Sequence, residues 1–558
     1  MKRPNINELS LREKIAQLLM IQQYSLLQKC EVDETLPRST EEMLSIMEKY
    51  QYGSLWGCGN MNLNNANMAE INIGHKTNTT EYKRWIEMVS APVKLPMLIG
   101  MDCENGAGRI FSDATDTSAP LSIGAANSEK LAYELGAAVA REMKAAGGNW
   151  RWTPILDVPN RFNGVSIGRS YSDEPERLVR LSVATMKGIQ SENVAATAKH
   201  FPGCDPYEFR DPHIVTTTIN LSVEEWEKTQ GKLFQELIEE GVYSVMIGHT
   251  AFPAADDTML NGRYIPATFS KKIINGLLRE KMKFEGVVIT DGITMAGLTS
   301  MCSYEEMLIR LINAGNDVIL GVNPYDSEVI YKAVEDGKIP IERINESCER
   351  VLTLKEKLGL FQPEKEAIDI RDQVFKTQEI DQQIAEKSIT LVCDKKNQIP
   401  LCADKIKNVA IVCSSHLNST VSELKIMQEE FEKRGAIVKI IGHIHEKESV
   451  KKLAQDNDLI IYAAYVAAHR PMGMPSLYGE QMETYFNAFS YGKEKSIGVS
   501  MGYPYLYHDA MAGADTFFNI YSTNPASLKA FVKTLYGEIP VSRSSPIDIT
   551  PKLRYVYC

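Results

Sequence analysis

The chain has 558 residues, 44% of them hydrophobic and 24% charged, which is typical of a globular protein. Its formal net charge of −11 disfavours a protein that binds the phosphates of nucleic acids, and it is compatible with a neutral substrate such as a sugar. The N-terminus lacks the apolar core of a secretory signal, and no run reaches the roughly 18 uncharged apolar residues that span a bilayer. The ten cysteines include no Cys-x-x-Cys pair, which favours reduced thiols. We therefore expect a cytoplasmic protein without a membrane segment.

The first part of the chain alternates between helical and strand patterns. Residues 10–22 predict a helix that begins with a capping box, Ser10 and Glu13, and whose apolar face holds Leu11, Ile15, Leu18 and Leu19. Seven apolar runs then follow at 52–57, 97–102, 151–157, 196–202, 244–250, 286–291 and 317–322. Spacings of roughly 30 to 55 residues suit strand–helix units, and strands that are apolar throughout are typical of parallel sheets. We predict a TIM barrel of the (β/α)8 type over residues 1–361.

A second alternation follows a polar connector and lead-in helix at residues 362–385. Strand patterns occur near 409–413, 436–441, 458–463, 496–501 and 516–520, with helical patterns near 420–434, 447–456, 478–492 and 526–537. This alternation predicts an open three-layer α/β/α sandwich domain over residues 386–558. Its first strand is followed by SSHLNS and not by a glycine-rich turn, so we expect no dinucleotide site there. The motif GCGN at 57–60 also lacks the third glycine.

Polar side chains stand at the ends of the predicted barrel strands, where the active sites of such barrels lie. They are Asp102, Glu104, Asp157, Lys199, His200, His249 and Asp291. Each one alone is a weak signal because a carboxylate at a strand end also serves as a helix cap. Because such residues follow several successive strands, together they indicate a site at the mouth of the barrel.

The segment AKHFPGCDPYEFRDPH at 198–213 carries the strongest signal. Lys199 and His200 end an apolar run, and the loop that follows contains the pair Asp211 and His213. A carboxylate beside an imidazole fixes its tautomer, and an ordinary imidazole, with a pKa of about 6.5, suits proton transfer near neutral pH. The alternative is an Asx turn at Asp211 with a solvated histidine. No His-x-x-x-His pattern accompanies the pair, so a metal site is not expected.

The segment FEGVVITDG at 284–292 carries the second signal. Asp291 directly follows an apolar strand, which would direct its carboxylate into the barrel mouth. The alternative is that Asp291 caps the next helix.

The chain resembles glycoside hydrolase family 3 in its two-domain form, and within it the β-N-acetylglucosaminidase branch. The residues that carry this resemblance are LREKIAQLLM (11–20), PMLIGMDCENGAGRIF (96–111), NWRWTPILDV (149–158), IGRSYSDEPE (167–176), AKHFPG (198–203), PATFS (266–270), LLREKMKFEGVVITDG (277–292) and AEKSITLVCD (385–394). The combination of K-H-F-P-G, a following D-x-H and G-V-V-x-T-D is specific to the family.

The resemblance implies roles for seven residues. Asp291 would be the nucleophile, and His213, oriented by Asp211, would be the acid/base on a mobile loop. The hydroxyls of the sugar at the cleavage site would be held by Asp102, Arg169, Lys199 and His200. Such a set supplies both donors and acceptors to neutral hydroxyls. Two of these residues, Arg169 and Lys199, would also keep the nucleophile ionised.

Three motifs depart from the family pattern. The usual K-H-F-P-G-H-G contains Cys204 and Asp205 here, T-D-D ends in Gly292, and D-Q-E-G-G-R is replaced by DCENGAGR at 102–109. The roles of Cys204 and Asp205 therefore stay open. If His213 were inert, Glu480 of the second domain would be the first substitute for the acid, although it equally fits a solvated helix residue.

The resemblance implies an exo-acting, retaining enzyme that releases terminal β-linked N-acetylglucosamine without a cofactor or metal. Its partner would be a small carbohydrate, and neither nucleic acid nor membrane is expected. The alternatives are a β-glucosidase or β-xylosidase of the same family, a phosphorylase that passes the sugar to phosphate, and a non-catalytic sugar-binding protein. The oligomeric state and the natural substrate, whether muropeptide, chitooligosaccharide or host glycan, are not indicated by the sequence.

Overall fold

The computed structural model describes residues 1–31, 34–58, 76–161, 163, 165–362, 368–415, 422–444, 446–466, 477, 479–509 and 511–549. The chain divides into two compact units. The first consists of Met1–Asp116, Ala132–Asp157 and Ser182–Thr377, and the second of Thr117–Leu131, Val158–Leu181 and Gln378–Cys558. Two segments of the predicted barrel domain, 117–131 and 158–181, thus belong to the second unit. Within the described ranges, no helix is long and apolar enough to cross a membrane.

The first unit contains a sheet of eight strands, each parallel to its neighbours, which is the predicted barrel. In chain order the strands are Leu19–Gln22, Ser54–Trp56, Leu98–Met101, Trp150–Arg151, Ala195–Phe201, Ser244–Ile247, Val287–Thr290 and Ile319–Val322. The sheet order follows the chain order, and a parallel bridge between Ile289 and Val318 brings the seventh strand beside the eighth. The ring of strands is therefore nearly closed.

The first barrel strand lies within the segment 10–22, for which the sequence predicts a helix. That prediction was wrong for the second half of the segment. The capping box of Ser10 and Glu13 is present, but the helix covers only Leu11–Gln17. Leu19–Gln22 is a strand between the strands Ile319–Val322 and Ser54–Trp56. Residues 18–21 are buried on both faces, as a central barrel strand must be, whereas a surface helix buries only one face.

Helices alternate with the strands of the barrel, and two of them, Glu129–Ala145 and Pro175–Ser191, begin in segments of the second unit. The α-helices are Leu11–Gln17, Gln23–Leu27, Thr40–Tyr50, Thr79–Ser90, Glu129–Ala145, Pro175–Ser191, Val223–Lys228, Gln230–Glu239, Ala296–Thr299, Tyr304–Ala314, Asp326–Glu335 and Ile341–Lys357, and Lys272–Lys281 is a π-helix. Short two-stranded pairings join Gln28–Glu31 to Glu34–Pro37, Thr217–Thr218 to Thr250–Ala251, and Met259–Leu260 to Arg263–Tyr264. The barrel interior is filled by apolar side chains, among them Met20, Leu98, Trp150, Trp152, Met246, Ile289 and Leu320.

A lysine is buried among the barrel's helices. Lys355, in the helix Ile341–Lys357, has no exposed surface, and its ammonium group donates a hydrogen bond to Oε1 of the buried Gln17 at 2.5 Å. Burial lowers the pKa of Lys355 to about 7, although the neighbouring Cys348 thiol opposes this shift. A lysine in the unfolded chain has a pKa of about 10.4.

We expect Lys355→Met to remove a pH dependence of stability. Between pH about 7 and about 10 the unfolded chain holds a proton that the folded chain lacks, so the free energy of unfolding falls as the pH is lowered through this window. The variant should lose a change in the free energy of unfolding on the order of 4 kcal/mol over that window. Urea unfolding of both proteins at pH 7 and pH 9 measures it, and equal slopes would contradict the assignment.

The second unit is built on a six-stranded sheet. Its strands are Thr390–Asp394, Asn408–Ser415, Ile437–Ile441, Leu459–Tyr465, Ser496–Ser500 and Thr516–Asn519. Five of them are parallel, and the edge strand Thr390–Asp394, which the sequence did not predict, pairs antiparallel with Thr516–Asn519. The helices are Pro120–Ala126, Ile370–Ser388 (which begins in the first unit), Leu424–Glu432, Lys447–Asp456, Glu480–Ala488, Leu506–Asp509 and Pro525–Leu535.

The two faces of this sheet bury different residues of the same strands. Along the strand Asn408–Ser415, Val409, Ile411 and Cys413 face one apolar core, which also contains Phe431 and Phe531 from two of the helices. The alternate residues of the strand face the other core, which also contains residues of the helices Lys447–Asp456 and Glu480–Ala488. Since side chains alternate across a strand, the sheet is covered by helices on both faces. This is the predicted three-layer α/β/α sandwich.

Candidate active site

Lys199 lies between two acidic side chains at the mouth of the barrel. Its Nζ atom is 3.1 Å from Oδ1 of Asp102 and 2.7 Å from Oε1 of Glu104, and its own side chain is buried. Asp102 follows the third strand, and its side chain is half exposed. The pair Asp102 and Lys199 thus presents an acceptor and a donor side by side, as the hydroxyls of a sugar require.

The turn that carries Asp102 and Glu104 is held by Arg151. This buried arginine donates hydrogen bonds from Nε, at 3.2 Å, and from Nη2, at 2.7 Å, to the carbonyl oxygen of Cys103. Cys103 has a φ of 43°, in the left-handed region that residues other than glycine rarely adopt. We infer that the two bonds from Arg151 stabilise this turn and so fix the direction of both carboxylates.

His200 lies between two further carboxylates. Its Nδ1 atom is 2.6 Å from Oδ2 of Asp157, and its Nε2 atom is 3.9 Å from Oδ2 of Asp291. An ionised carboxylate only accepts hydrogen bonds, so Asp157 fixes the proton on Nδ1 and directs Nε2 toward Asp291 and the mouth of the barrel. Asp157 is therefore the orienting partner of His200.

Asp291 follows the seventh strand, and its backbone is anchored on both sides. Its N–H donates to the carbonyl of Ile247 at 2.9 Å, and its Oδ1 accepts from the N–H of Gly292 at 2.7 Å. The next helix begins at Ala296 with Met295 as its N-cap, so Asp291 is not a helix cap. A Cβ at position 292 would lie 3.9 Å from Trp56, so space does not require the glycine that replaces the family's second aspartate.

The charges around Asp291 favour its ionised form. Burial raises the pKa of this carboxyl, but the imidazoles of His200, His249 and His213 and the N–H of Gly292 lower it, and the net result is a pKa of about 2. Asp291 is therefore a carboxylate throughout the neutral range. A partly buried carboxylate that stays ionised beside histidines is suited to act as a nucleophile.

His249 is fully buried beneath Asp291. Its Nε2 atom is 3.0 Å from the carbonyl of Gly292 and its Nδ1 atom is 3.1 Å from the hydroxyl of Thr268. Because a carbonyl only accepts, Nε2 carries the proton, and burial lowers the pKa of His249, which favours this neutral form. His249 thus supports the backbone turn of Asp291.

The loop after the fifth strand places Asp211 and His213 in contact. Nδ1 of His213 lies 2.6 Å from Oδ1 of Asp211, and the same oxygen accepts from the N–H of His213 at 2.8 Å. Asp211 therefore forms both an Asx turn and a carboxylate–imidazole pair with His213. Asp211 is buried and the His213 side chain is 30% exposed, so Nε2 is the ring nitrogen left to face a substrate.

Two buried carboxylates give this loop its shape. Asp205 accepts hydrogen bonds from the N–H of Tyr207 at 2.8 Å and of Asn220 at 2.7 Å. Glu208 accepts from the N–H of Arg210 at 2.9 Å and of Thr218 at 3.0 Å. Each carboxylate therefore joins the first half of the loop to the second, and this is the structural role of Asp205, which the sequence left open.

The loop is also docked against the segment that follows Asp291. The N–H of Ala296 donates to the carbonyl of His213 at 3.0 Å, and the hydroxyl of Thr216 donates to the carbonyl of Gly297 at 2.6 Å. A Cβ at Gly297 would lie 2.5 Å from the carbonyl oxygen of Pro212, which is closer than real Cβ atoms approach. Gly297 therefore lets the loop that carries His213 lie directly on the chain beyond Asp291.

We expect Gly297→Ala to displace this loop and to impair the acid/base role that the resemblance implies for His213. A loss of roughly 10- to 100-fold in kcat is expected on glycosides with poor leaving groups, because a misplaced acid no longer reaches the departing oxygen. Glycosides with good leaving groups should lose much less. Gly276→Ala, in the helix Lys272–Lys281, where an added Cβ would meet nothing within 4 Å, controls for a general effect on folding. Equal losses on both substrate classes would contradict the docking role.

The chain matches the sequence profile of the glycosyl hydrolase family 3 N-terminal domain over residues 10–354. It belongs to glycosyl hydrolase family 3. It is therefore a glycoside hydrolase family 3 enzyme, and its barrel and α/β/α sandwich are the two domains that solved family 3 structures share with it.

Relatives of this family 3 enzyme carry several activities in their names. It is 26% identical over 492 residues to a β-N-acetylglucosaminidase/β-glucosidase of Cellulomonas fimi, which covers 83% of this chain and 85% of the relative. The structure of a β-glucoside phosphorylase, BglX, superposes with a TM-score of 0.83 at 26% identity and covers 98% of this chain and 95% of the other. A family 3 β-N-acetylglucosaminidase from a Paenibacillus species has a TM-score of 0.79 at 24% identity, with 98% and 100% covered.

Of the site residues predicted for this family 3 enzyme, Asp102, Lys199, His200 and Asp291 lie together at the barrel mouth, with Asp211 and His213 on the loop beside it. The remaining one, Arg169, belongs to the second unit, where its guanidinium donates to the carbonyl of Val165 at 3.4 Å. Its contact with the sugar stays a prediction, as do the chemical roles of the other six.

The structure also gives the contacts of two residues whose roles the sequence left open. Glu480 begins a helix of the second unit, is mostly exposed and forms an ion pair with His443 at 3.1 Å. Cys204 contributes its carbonyl, which accepts a hydrogen bond from the amide of Gln230 at 3.0 Å. In the part of the chain that the structure describes, no group of three or more histidine, cysteine, aspartate or glutamate side chains could hold a metal ion.

Sequence reasoning left Glu104 and Asp157 without roles and did not single out Arg151, Glu208 or Gly297. Glu104 and Asp157 lie at predicted strand ends, but the sequence does not indicate which side chains they contact. Arg151 sits within an apolar run and Gly297 within a short helix. No sequence pattern marks a residue whose partner is a backbone carbonyl far along the chain.

Proposed function

We propose that the chain is an exo-acting, retaining glycosidase that releases terminal β-linked N-acetylglucosamine through a covalent intermediate on Asp291, with Asp211 and His213 as the acid/base pair. The observation that carries this proposal is the combination of two groups in one barrel mouth. Asp291 is ionised, with a pKa of about 2, and an imidazole on the adjacent loop is paired with a carboxylate at 2.6 Å. A nucleophile and a proton donor are the two groups that a double displacement needs.

In the first step, a carboxylate oxygen of Asp291 attacks the anomeric carbon while the bond from that carbon to the leaving oxygen breaks. The imidazolium of His213 donates its Nε2 proton to that oxygen, so the leaving group departs as a neutral alcohol. Asp211 accepts from Nδ1 and keeps the proton-donating nitrogen directed at the substrate. Asp102, Lys199 and His200 hold hydroxyls of the sugar.

In the second step, water attacks the same carbon from the face that the leaving group occupied. The neutral imidazole of His213 takes a proton from this water as the bond to Asp291 breaks. The sugar leaves with its original β configuration because two inversions have occurred. The carboxylate and the imidazolium are restored, and no redox change or cofactor is involved.

The substrate preference is tested with matched substrates. We expect turnover of an aryl β-N-acetylglucosaminide to exceed that of the corresponding β-glucoside by roughly 10-fold or more in kcat/KM. Both rates are measured in buffers with and without inorganic phosphate. Faster turnover of the glucoside contradicts the proposed sugar, and no turnover of either compound contradicts the proposed enzyme and favours a sugar-binding protein.

A β-glucoside phosphorylase is the second candidate, favoured by the similarity to the phosphorylase BglX. The acid/base of this site is an imidazole, which does not repel phosphate as a carboxylate would. Phosphate would then replace water in the second step, and the product would be a sugar 1-phosphate. Its formation in the phosphate-containing reaction distinguishes this candidate from the hydrolase.

A further inference from the structure

Three large apolar side chains on the His213 loop point into solvent. Tyr207 is 88% exposed, Phe209 is 65% exposed and Ile214 is 52% exposed. Among the large apolar side chains of the described residues, Tyr207 is the most exposed. Three such residues within the segment 207–214 give this loop a large exposed apolar surface, and exposed apolar surfaces of this size on a protein mark binding sites. We call this surface of Tyr207, Phe209 and Ile214 the apolar patch.

The backbone that carries this patch is held by hydrogen bonds within the loop and to the segment after Asp291. Asp205 ties Tyr207 to Asn220, and Glu208 ties residue 210 to Thr218. The carbonyl of His213 is bound to the N–H of Ala296. The exposed aromatic rings therefore stand on a compact loop that is held at both ends, and presenting them requires no ordering of the loop upon binding.

The position of His213 indicates what would cover this patch. A proton donor must come within hydrogen-bond distance of the oxygen that departs. That oxygen joins the sugar held by Asp102, Lys199 and His200 to the leaving group, so the first ring of the leaving group has to lie against the loop that carries His213. The large exposed apolar side chains of this loop are Tyr207 and Phe209, before His213, and Ile214, directly after it.

We propose that Tyr207 and Phe209 form a binding platform for the leaving group and select one that presents the apolar face of a pyranose ring. This inference rests on the proposed function and deepens it, since it names the substrate class as an oligosaccharide and not a glycoside of a small alcohol. Aromatic side chains provide large, rigid apolar surfaces for such a ring. Ile214, next to His213, extends the platform toward the cleaved bond.

The test compares two substrates that share the sugar accepted by the wild-type enzyme. One carries a second pyranose as the leaving group, in a β-1,4-linked disaccharide, and the other carries fluoride, which has no ring. The double variant Tyr207→Ser/Phe209→Ser should lose roughly tenfold or more in kcat/KM on the disaccharide. On the glycosyl fluoride it should stay within about twofold of the wild type. Phe375→Ser, at an exposed aromatic residue of the helix Ile370–Ser388, is the matched control and should change neither rate.

The other outcomes overturn the platform. Equal losses on both substrates would mean that the substitutions disturb the loop and its acid, and unchanged rates on both would mean that the rings do not contact the leaving group. A change in oligomeric state, measured by sedimentation, with unchanged disaccharide kinetics would assign the patch to a second copy of the chain. An inactive wild-type enzyme would overturn the proposed function itself, which separates that failure from a failure of the platform.

Discussion

Replacing Asp291 with alanine is expected to lower kcat/KM on every β-glycoside substrate by on the order of 10⁴-fold or more. The carboxylate is ionised above pH about 2 and lies 3.9 Å from His200 at the centre of the site. Its removal leaves no group to form the glycosyl intermediate. The loss should be in kcat even at saturating substrate, and the thermal unfolding of the variant should stay close to that of the wild type.

Addition of azide to the Asp291→Ala variant tests whether Asp291 is the nucleophile. In the alanine variant, azide can enter the space of the missing carboxylate and displace an activated leaving group directly, in one inversion. The product from a β-glycoside should therefore be the α-glycosyl azide, which proton NMR distinguishes from the β anomer. Asp256→Ala, at another buried aspartate of the same unit, serves as the control. Full activity of Asp291→Ala, or a β-azide from it, would contradict the nucleophile assignment.

Replacing His213 with alanine is expected to have the second largest effect, and one that depends on the leaving group. Loss of a general acid costs about 10²- to 10⁴-fold on substrates whose leaving oxygen needs the proton. The phenolate of a 2,4-dinitrophenyl glycoside departs without protonation. On this substrate the variant should therefore retain most of the wild-type rate of glycosyl transfer to Asp291. Measurement of kcat/KM across aryl leaving groups of increasing basicity should therefore show a steep dependence in the variant and a shallow one in the wild type.

The second step offers an independent check on His213. Without the base, the intermediate on Asp291 accumulates, and added azide, which needs no deprotonation, should react with it to give the β-glycosyl azide after two inversions. Asp211→Asn keeps an acceptor for Nδ1 but removes the charge, so it should reproduce the effect in weaker form. His443→Ala, at a histidine of the second unit, should change nothing. A loss of equal size on all leaving groups would argue against an acid role.

The architecture could be predicted because parallel strands covered on both faces are apolar throughout. This pattern predicts seven of the barrel strands and five of the sandwich strands. It does not reveal the strand Leu19–Gln22, because Leu18 and Leu19 also fit a helical period. The edge strand Thr390–Asp394 was missed because it directly follows the helix Ile370–Ser388. The predicted domain bounds, 1–361 and 386–558, remain a prediction. Segments 117–131 and 158–181 belong to the second unit, and no pattern in their sequence indicates this.

The candidate site was predictable where chemistry is tied to the end of a strand. Asp102, Lys199, His200 and Asp291 follow barrel strands directly, so the topology alone brings them to one mouth. The residues that orient them could not be found in this way, because the partners of Arg151 and Gly297 are backbone carbonyls. Such contacts depend on how loops pack, and no periodic pattern encodes them.

The loop shaped by Asp205 and Glu208 also bears on how this site could diversify. The hydrogen bonds of these two carboxylates begin and end between residues 205 and 220, whereas Asp291 is built into the barrel through Ile247 and Gly292. The proposed proton donor and the proposed nucleophile therefore depend on different sets of supporting hydrogen bonds, which meet where the loop docks on Ala296 and Gly297. A loop grafted from another sequence can therefore exchange the proposed donor and its aromatic neighbours together, provided that it keeps the backbone contacts to Ala296 and Gly297.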